Sequence, residues 1–121
     1  MPPAKRGNAP RAGFCIFENG DGSGLRAAFA EGTDDLGDPK VFGGRMNDKT
    51  SAIWNRSDKP WCVYEHKNIG GHRWMISRGF QDDISTYRSR DGFSWENVTS
   101  SVRPAMYVRP PRNPNAAYWT C

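Results

Sequence analysis

Glu65, His66 and His72 sit close together in the chain, with Cys62 just ahead of them. Carboxylate, imidazole and thiolate all bind zinc, yet their spacing matches no zinc pattern. Histidines flanking the glycines of "CVYEHKNIGG" read first as turn residues. Two histidines in the whole chain leave little room for general acid and base work, and no serine, histidine and acid set stands out. "NGDGSG" is rich in glycine but lacks the lysine of a phosphate-binding loop. The acid pairs Asp34-Asp35 and Asp82-Asp83 suggest exposed turns. The chain is read as a non-enzyme.

What must position these residues is a duplication. "CIFENGDGSG" from Cys15 and "CVYEHKNIGG" from Cys62 both run from cysteine through an aliphatic, an aromatic and a glutamate to glycine. Cys15 and Cys62 are 47 residues apart, as are Glu18 and Glu65, Gly24 and Gly71, Arg26 and Arg73, and Gly32 and Gly79. Asp34 and Asp82 are then 48 apart, and "MNDKTSAI" from Met46 meets "WENVTSSV" from Trp95 at a spacing of 49. Two single-residue insertions account for the drift. Landmarks in one order across the whole unit define two copies, 14–57 and 61–103.

Each copy is built from strands. "GFCIFE" and "WCVYEH" have high β-propensity, and the glycine-rich stretches behind them permit the positive φ of tight turns. "LRAAFAEG" looks helical by propensity, but its repeat mate "HRWMISRG" does not, so both are expected to be strands. "TSAIW" and "TSSVR" close the two copies. Residues 1–13 are expected to form a flexible arm. Residues 104–121 hold four prolines, and "RPPRNPN" suits neither an interior strand nor a helix. That extension is expected to lie extended on the surface, anchored by Tyr107, Tyr118 and Trp119.

Composition limits the function classes. The chain's 121 residues suit one domain with a modest core. A net charge of +4 is read as a mildly basic, solvated surface and not as a nucleic-acid interface. No apolar run approaches the roughly 20 residues of a membrane helix. Met1 to Pro10 has no apolar signal-peptide core, which suits either a cytoplasmic chain or a mature one. Three cysteines allow one internal disulfide and a spare thiol. Cys15 and Cys62 could meet near a pseudo-twofold axis, or Cys121 could close onto either.

With these motifs in hand, the chain resembles the βγ-crystallin Greek-key family. It is most similar to the secreted microbial branch of streptomycete metalloproteinase inhibitors and killer-toxin-like proteins. Phe17-Glu18 through Gly24 and Tyr64-Glu65 through Gly71 look like the family's aromatic-Glu-glycine turn. "NDKTSA" from Asn47 and "ENVTSS" from Glu96 resemble its calcium signature, with Ala52 in place of a serine and Glu96 in place of Asn or Asp. The resemblance implies an all-β sandwich of two Greek keys, two calcium sites and secretion of the mature chain, most simply as a monomer. As a microbial likeness, it makes the glycosylation sequons at Asn55 and Asn97 bystanders.

Calcium takes six to eight oxygens from carboxylates, carbonyls, hydroxyls and water. The resemblance implies a first site from Asn47, Asp48, the Lys49 carbonyl and Ser51, and a second from Glu96, Asn97, the Val98 carbonyl and Ser100. Glu18 and Glu65 are the turn-side candidates, each facing the signature loop of the other copy. Neutral Asn97 implies a weaker second site. The implied partner is a secreted metalloproteinase. The alternatives are a cell-wall polymer, met by basic arms and an exposed stripe among Trp54, Trp61, Trp74 and Trp95, or a purely structural extracellular role. The resembled inhibitors use short disulfide-braced segments. Here the nearest cysteines are 47 apart and Cys62-Val63 falls inside an expected strand, so no reactive bond is assigned.

Overall fold

In the computed structural model, which describes residues 13–121, Phe14 and Trp61 stack on one another. Their ring centroids are 4.8 Å apart and their planes 3° from parallel. They hold equivalent places in the two copies, so the pseudo-dyad runs between them. The expected arm falls, apart from Gly13, outside the described residues.

The described residues form nine strands: β1 (Phe14–Phe17), β2 (Arg26–Phe29), β3 (Ala52–Asn55), β4 (Trp61–His66), β5 (Gly70–Ile76), β6 (Gln81–Asp83), β7 (Ser101–Pro104), β8 (Met106–Val108) and β9 (Tyr118–Thr120). Strand periodicity sends Phe14 and Ile16 of β1, and Trp61 and Val63 of β4, into a single core. There they meet Phe29, Leu36, Met46 and Ile53 and their repeat mates Ile76, Ile84, Trp95 and Val102. Each such side chain contributes roughly 1.5–3 kcal/mol by leaving water. "RAAF" is a strand because Ala27 and Phe29 alternate inward and Phe29 pairs with Phe14. Packing overrides its helical propensity.

The copies are not separate sheets. The first sheet has the order β2-β1-β3-β6, so its last strand comes from the second copy. The second sheet, β5-β4-β7, receives Thr33 of the first copy in return, through paired backbone bonds with Val102 of 2.8 and 3.0 Å. A Cβ on neighbouring Gly32 would run into the Val102 carbonyl, so this crossing requires glycine. Asp82-Asp83 therefore lies in a half-buried strand and not in an exposed turn. Tyr87 donates its hydroxyl hydrogen to Asp82 at 2.8 Å.

The outer faces differ. Behind the first sheet, Cys15, Phe17 and Ala52 are buried together. Behind the second, Cys62, Tyr64 and Ala105 are buried with Cys121 packed against them. A disulfide joins Cys62 to Cys121, with Cα atoms 5.7 Å apart. Cys15 stays a buried free thiol, pushed up to about 11 by burial against the opposing pull of Arg56. The proline-rich extension is not a loose strap. β8 and β9 form a hairpin of their own, with "RPPRNPN" in the exposed loop between them. Its anchor is Cys121, whereas Tyr107, Tyr118 and Trp119 are 51%, 53% and 38% exposed. The remaining tryptophans form no exposed stripe. Trp61 and Trp95 are core, Trp74 packs on Trp95, and Trp54 lies half-buried under Arg56. Asn55 is wholly buried and donates to the Lys59 and Ile76 carbonyls, so its sequon is a structural tie.

The disulfide closes a loop across a sequence separation of 59. Cys121→Ser should lower unfolding free energy in urea by about 2–4 kcal/mol. In the native wild type at neutral pH, Cys15 should resist thiol reagents until denaturant is added.

Candidate functional site

The two glutamates after the aromatic residues close turns. Glu18 Oε1 accepts the Leu25 N–H at 3.0 Å, and Glu65 Oε1 accepts the His72 N–H at 3.1 Å. Gly24 and Gly71, at φ +80° and +75°, lie under these carboxylates, where a Cβ would meet Glu18 Oε1 at 2.5 Å and Glu65 Oε1 at 2.7 Å. Glutamate and glycine recur together because each leaves the space the other needs.

The signature loops lie at the same end of the sandwich and interlock. Asp48 N–H donates to the Thr99 carbonyl at 3.0 Å, and Asn97 N–H donates to the Thr50 carbonyl at 3.0 Å. Both residues take φ 57°, a conformation that Asp and Asn tolerate better than most residues. Ser51 N–H donates to the Phe17 carbonyl and Ser100 N–H to the Tyr64 carbonyl, each at 2.9 Å. The serine of each loop thus sits beside the glutamate turn of its own copy, while Asp48 of the first loop shares a cleft with Glu65 of the second copy's turn. What crosses the dyad is the Asp48 or Asn97 side chain. Ser100 Oγ donates to Asp48 Oδ1 at 2.8 Å, and Ser51 Oγ lies 3.0 Å from Asn97 Oδ1. Charge is therefore distributed otherwise than the linear reading implied, with Asp48 serving the second copy's serine and Asn97 the first copy's.

Around Ser51, oxygens crowd together. The inward atom of the Asn97 amide is 3.0 Å from Ser51 Oγ, 3.1 Å from Glu96 Oε1 and 3.3 Å from the Lys49 carbonyl. Ser51 Oγ also donates to Glu96 Oε1. With oxygen inward, the one hydroxyl proton, on Ser51, faces three other oxygens. Either the amide turns its NH2 inward or a cation supplies the missing positive charge. Around Ser100, an open cleft of about 240 Å³ is lined by Asp48, Glu65, His66, Asn97, Val98 and Ser100. Ser100 Oγ is 3.4 Å from the Val98 carbonyl. Asn47 contacts Asp48 Oδ2 at 3.4 Å and does not line this cleft. Ala52 is wholly buried with Cys15 and Phe17 behind the first sheet. Its mate Ser101 donates to the His66 carbonyl at 2.8 Å, so this signature position ties a turn and offers no ligand. Among the described residues no group of three or more His, Cys, Asp or Glu could hold a metal by itself. Metal binding here would depend on hydroxyl and carbonyl oxygens, which calcium accepts.

His72 is a clamp. Nδ1 lies 2.9 Å from Glu65 Oε1 and Nε2 2.7 Å from Asp91 Oδ2, and the ring stacks on Phe93 at 4.0 Å. Both nitrogens donate at once only in the imidazolium. Hydrogen bonds to Asp91 and then to Glu65 hold the His72 pKa above its ordinary 6.5. Its own hydrogen bonds hold Glu65 below 4.5. Hydrogen bonds from Ser89 and then His72 hold Asp91 well below the carboxylate range. Asp91 escaped the sequence reading. "DG" at Asp91-Gly92 signals a turn, but nothing in the string shows that the turn reaches His72. Buried Thr50 and Thr99 escaped too, because the signature leaves their positions free.

Residues 2–76 match the model of peptidase inhibitor family I36. The chain belongs to that family. Membership in an inhibitor family agrees with a non-enzyme. Solved structures supply the fold. A βγ-crystallin from Ciona intestinalis matches at TM-score 0.60 and 20% identity, covering 77% of this chain and 99% of that one. An archaeal βγ-crystallin matches at TM-score 0.60 and 24% identity, covering 78% and 99%. A nickel-bound clostrillin double mutant matches at TM-score 0.55 and 16% identity, covering 75% and 94%. No curated protein matches the chain. The family member is thus a βγ-crystallin-type sandwich, and among its described residues no helix is long and apolar enough to cross a membrane.

The clamp sets a pH window. The raised His72 pKa gives stability that is complete below its ordinary 6.5 and lost as pH rises through the higher folded value. The lowered Glu65 and Asp91 pKa values give stability that is complete above 4.5 and 3.8 and lost as pH falls. The clamp's contribution should therefore peak between 4.5 and 6.5. Melting without added divalent ions should fall more steeply from about pH 6 to about pH 8 in the wild type than in His72→Phe, which keeps the ring.

Proposed function

We propose that this chain is a secreted, calcium-binding inhibitor of a metalloproteinase. The observation that carries the metal reading is the convergence of Lys49 O, Ser51 Oγ, Glu96 Oε1 and the Asn97 amide on one point, an oxygen-rich pocket that suits a cation when the amide oxygen faces inward. Glu18 adjoins Phe17, whose carbonyl receives Ser51 N–H, and so stands on the rim of this site. A second site would draw on Asp48, Ser100, the Val98 carbonyl and Glu65. Glu65 is already engaged by His72, which makes this site the weaker one. Calcium would supply the charge that lets these oxygens approach, tying the two loops together across the dyad. The family match supports inhibition, and the disulfide suits an oxidising extracellular compartment.

Calcium at about a hundredfold over its Kd should raise stability by about 2.7 kcal/mol per site. Glu96→Gln should abolish one calorimetric binding event and Asp48→Asn should weaken the other. A melting temperature indifferent to millimolar calcium would refute the metal reading. Stoichiometric loss of metalloproteinase activity on adding the wild-type chain tests the inhibitor reading separately.

A further inference from the structure

We propose that the β8–β9 hairpin with its loop 109–117 is the element that enters the peptidase cleft. The inference rests on the inhibitor reading and names its contact surface. The chain's most obvious alternative is closed. Cys62 and Val63 are wholly buried in β4, the middle strand of its sheet, so no cleft can reach the bond between them.

The hairpin has the opposite character. Its base is tied to the body by Cys62–Cys121, by Tyr64 Oη donating to the Cys121 carbonyl at 3.0 Å, and by Arg73 Nη1 donating to the same oxygen at 3.3 Å. Ala105 N–H donates to the Pro60 carbonyl at 2.9 Å, fixing the entry to β8. Beyond this base β8 and β9 pair with each other, and among the described residues each keeps one unpaired edge. An extended segment with a free edge can add to another sheet through main-chain bonds.

The loop is held without being buried. Pro110, Pro111 and Pro114 each fix φ, and Ala116 N–H closes a turn onto the Asn113 carbonyl at 2.9 Å. Little conformational entropy remains to be lost on docking. The flanks carry the residue types that dominate interface energetics. Met106, Tyr107, Tyr118 and Trp119 are 55%, 51%, 53% and 38% exposed. Tyr107 packs on Trp119 at 4.8 Å, and Arg109 lies over Tyr107 at 5.9 Å. Residues 103–121 contain Arg103, Arg109 and Arg112 and no acid. The complementary partner is a peptidase whose cleft has an acidic rim. The hairpin lies beyond residues 2–76 that match the family model.

Inhibition constants for the full chain against thermolysin and other secreted metalloproteinases test this, beside retention on chitin and peptidoglycan. Tyr118→Ala, Trp119→Ala and an Arg109→Glu, Arg112→Glu double variant should each raise Ki at least about tenfold, and the charge variant should also lose the salt dependence of Ki. Their melting temperatures should match the wild type, because these side chains are exposed. If the wild type inhibits and these variants inhibit equally, the hairpin proposal falls while the inhibitor reading stands. If the wild type inhibits none of the panel, both fall. Hairpin-dependent retention on the polymers without inhibition would also overturn both, in favour of an envelope-binding role.

Discussion

Neither copy of the repeat can finish itself, and this mutual dependence governs the rest of the molecule. Each copy supplies three strands of its own sheet and an apolar face that water would wet. Closing it requires β6 from the second copy on one side and Thr33 from the first on the other. Phe14 and Trp61 then meet on the axis. The same exchange brings the signature loops into contact, so that Asp48 and Asn97 trade backbone bonds with Thr99 and Thr50. Core and candidate metal loops are consequences of one interface.

The two ends of the sandwich serve different purposes. At the loop end, polar groups from both copies converge, and balance depends on charge. Three oxygens meet the Asn97 amide at Ser51, and His72 bridges Glu65 and Asp91. The outer face of the second sheet instead carries a covalent attachment. Cys62 and Cys15 are equivalent in the repeat, yet only Cys62 receives Cys121. That asymmetry lets a near-symmetric scaffold carry a single projecting hairpin. In the proposed reading, the duplicated part is the scaffold and the unduplicated hairpin the recognition element.

Much of the fold was legible in the string, because a repeat preserves spacing. The 47-residue offset aligned strand with strand and glutamate with glycine. It also outvoted the helical propensity of "LRAAF", since its mate could not be helical. The candidate site was half legible. Asp48, Ser51, Asn97 and Ser100 stood out by type and position. Which of them face each other did not, because a linear motif keeps its members together and folding exchanged them across the dyad. The structural part played at the last signature position, by Ala52 and Ser101, was not legible for a related reason. Position in a motif does not reveal toward which side of a strand a side chain points.

The amino-acid order by itself determined that the chain is a duplicated β protein with a polar loop ahead of the last strand of each copy, because alternation and turn chemistry are local and recur at fixed spacing. Only tertiary structure decided the partners: Asp48 with Ser100, His72 with Asp91, and Cys121 with Cys62. Each of these joins residues far apart in sequence, and their meeting depends on how two twisted sheets pack, a property of the whole chain that no short stretch of it contains.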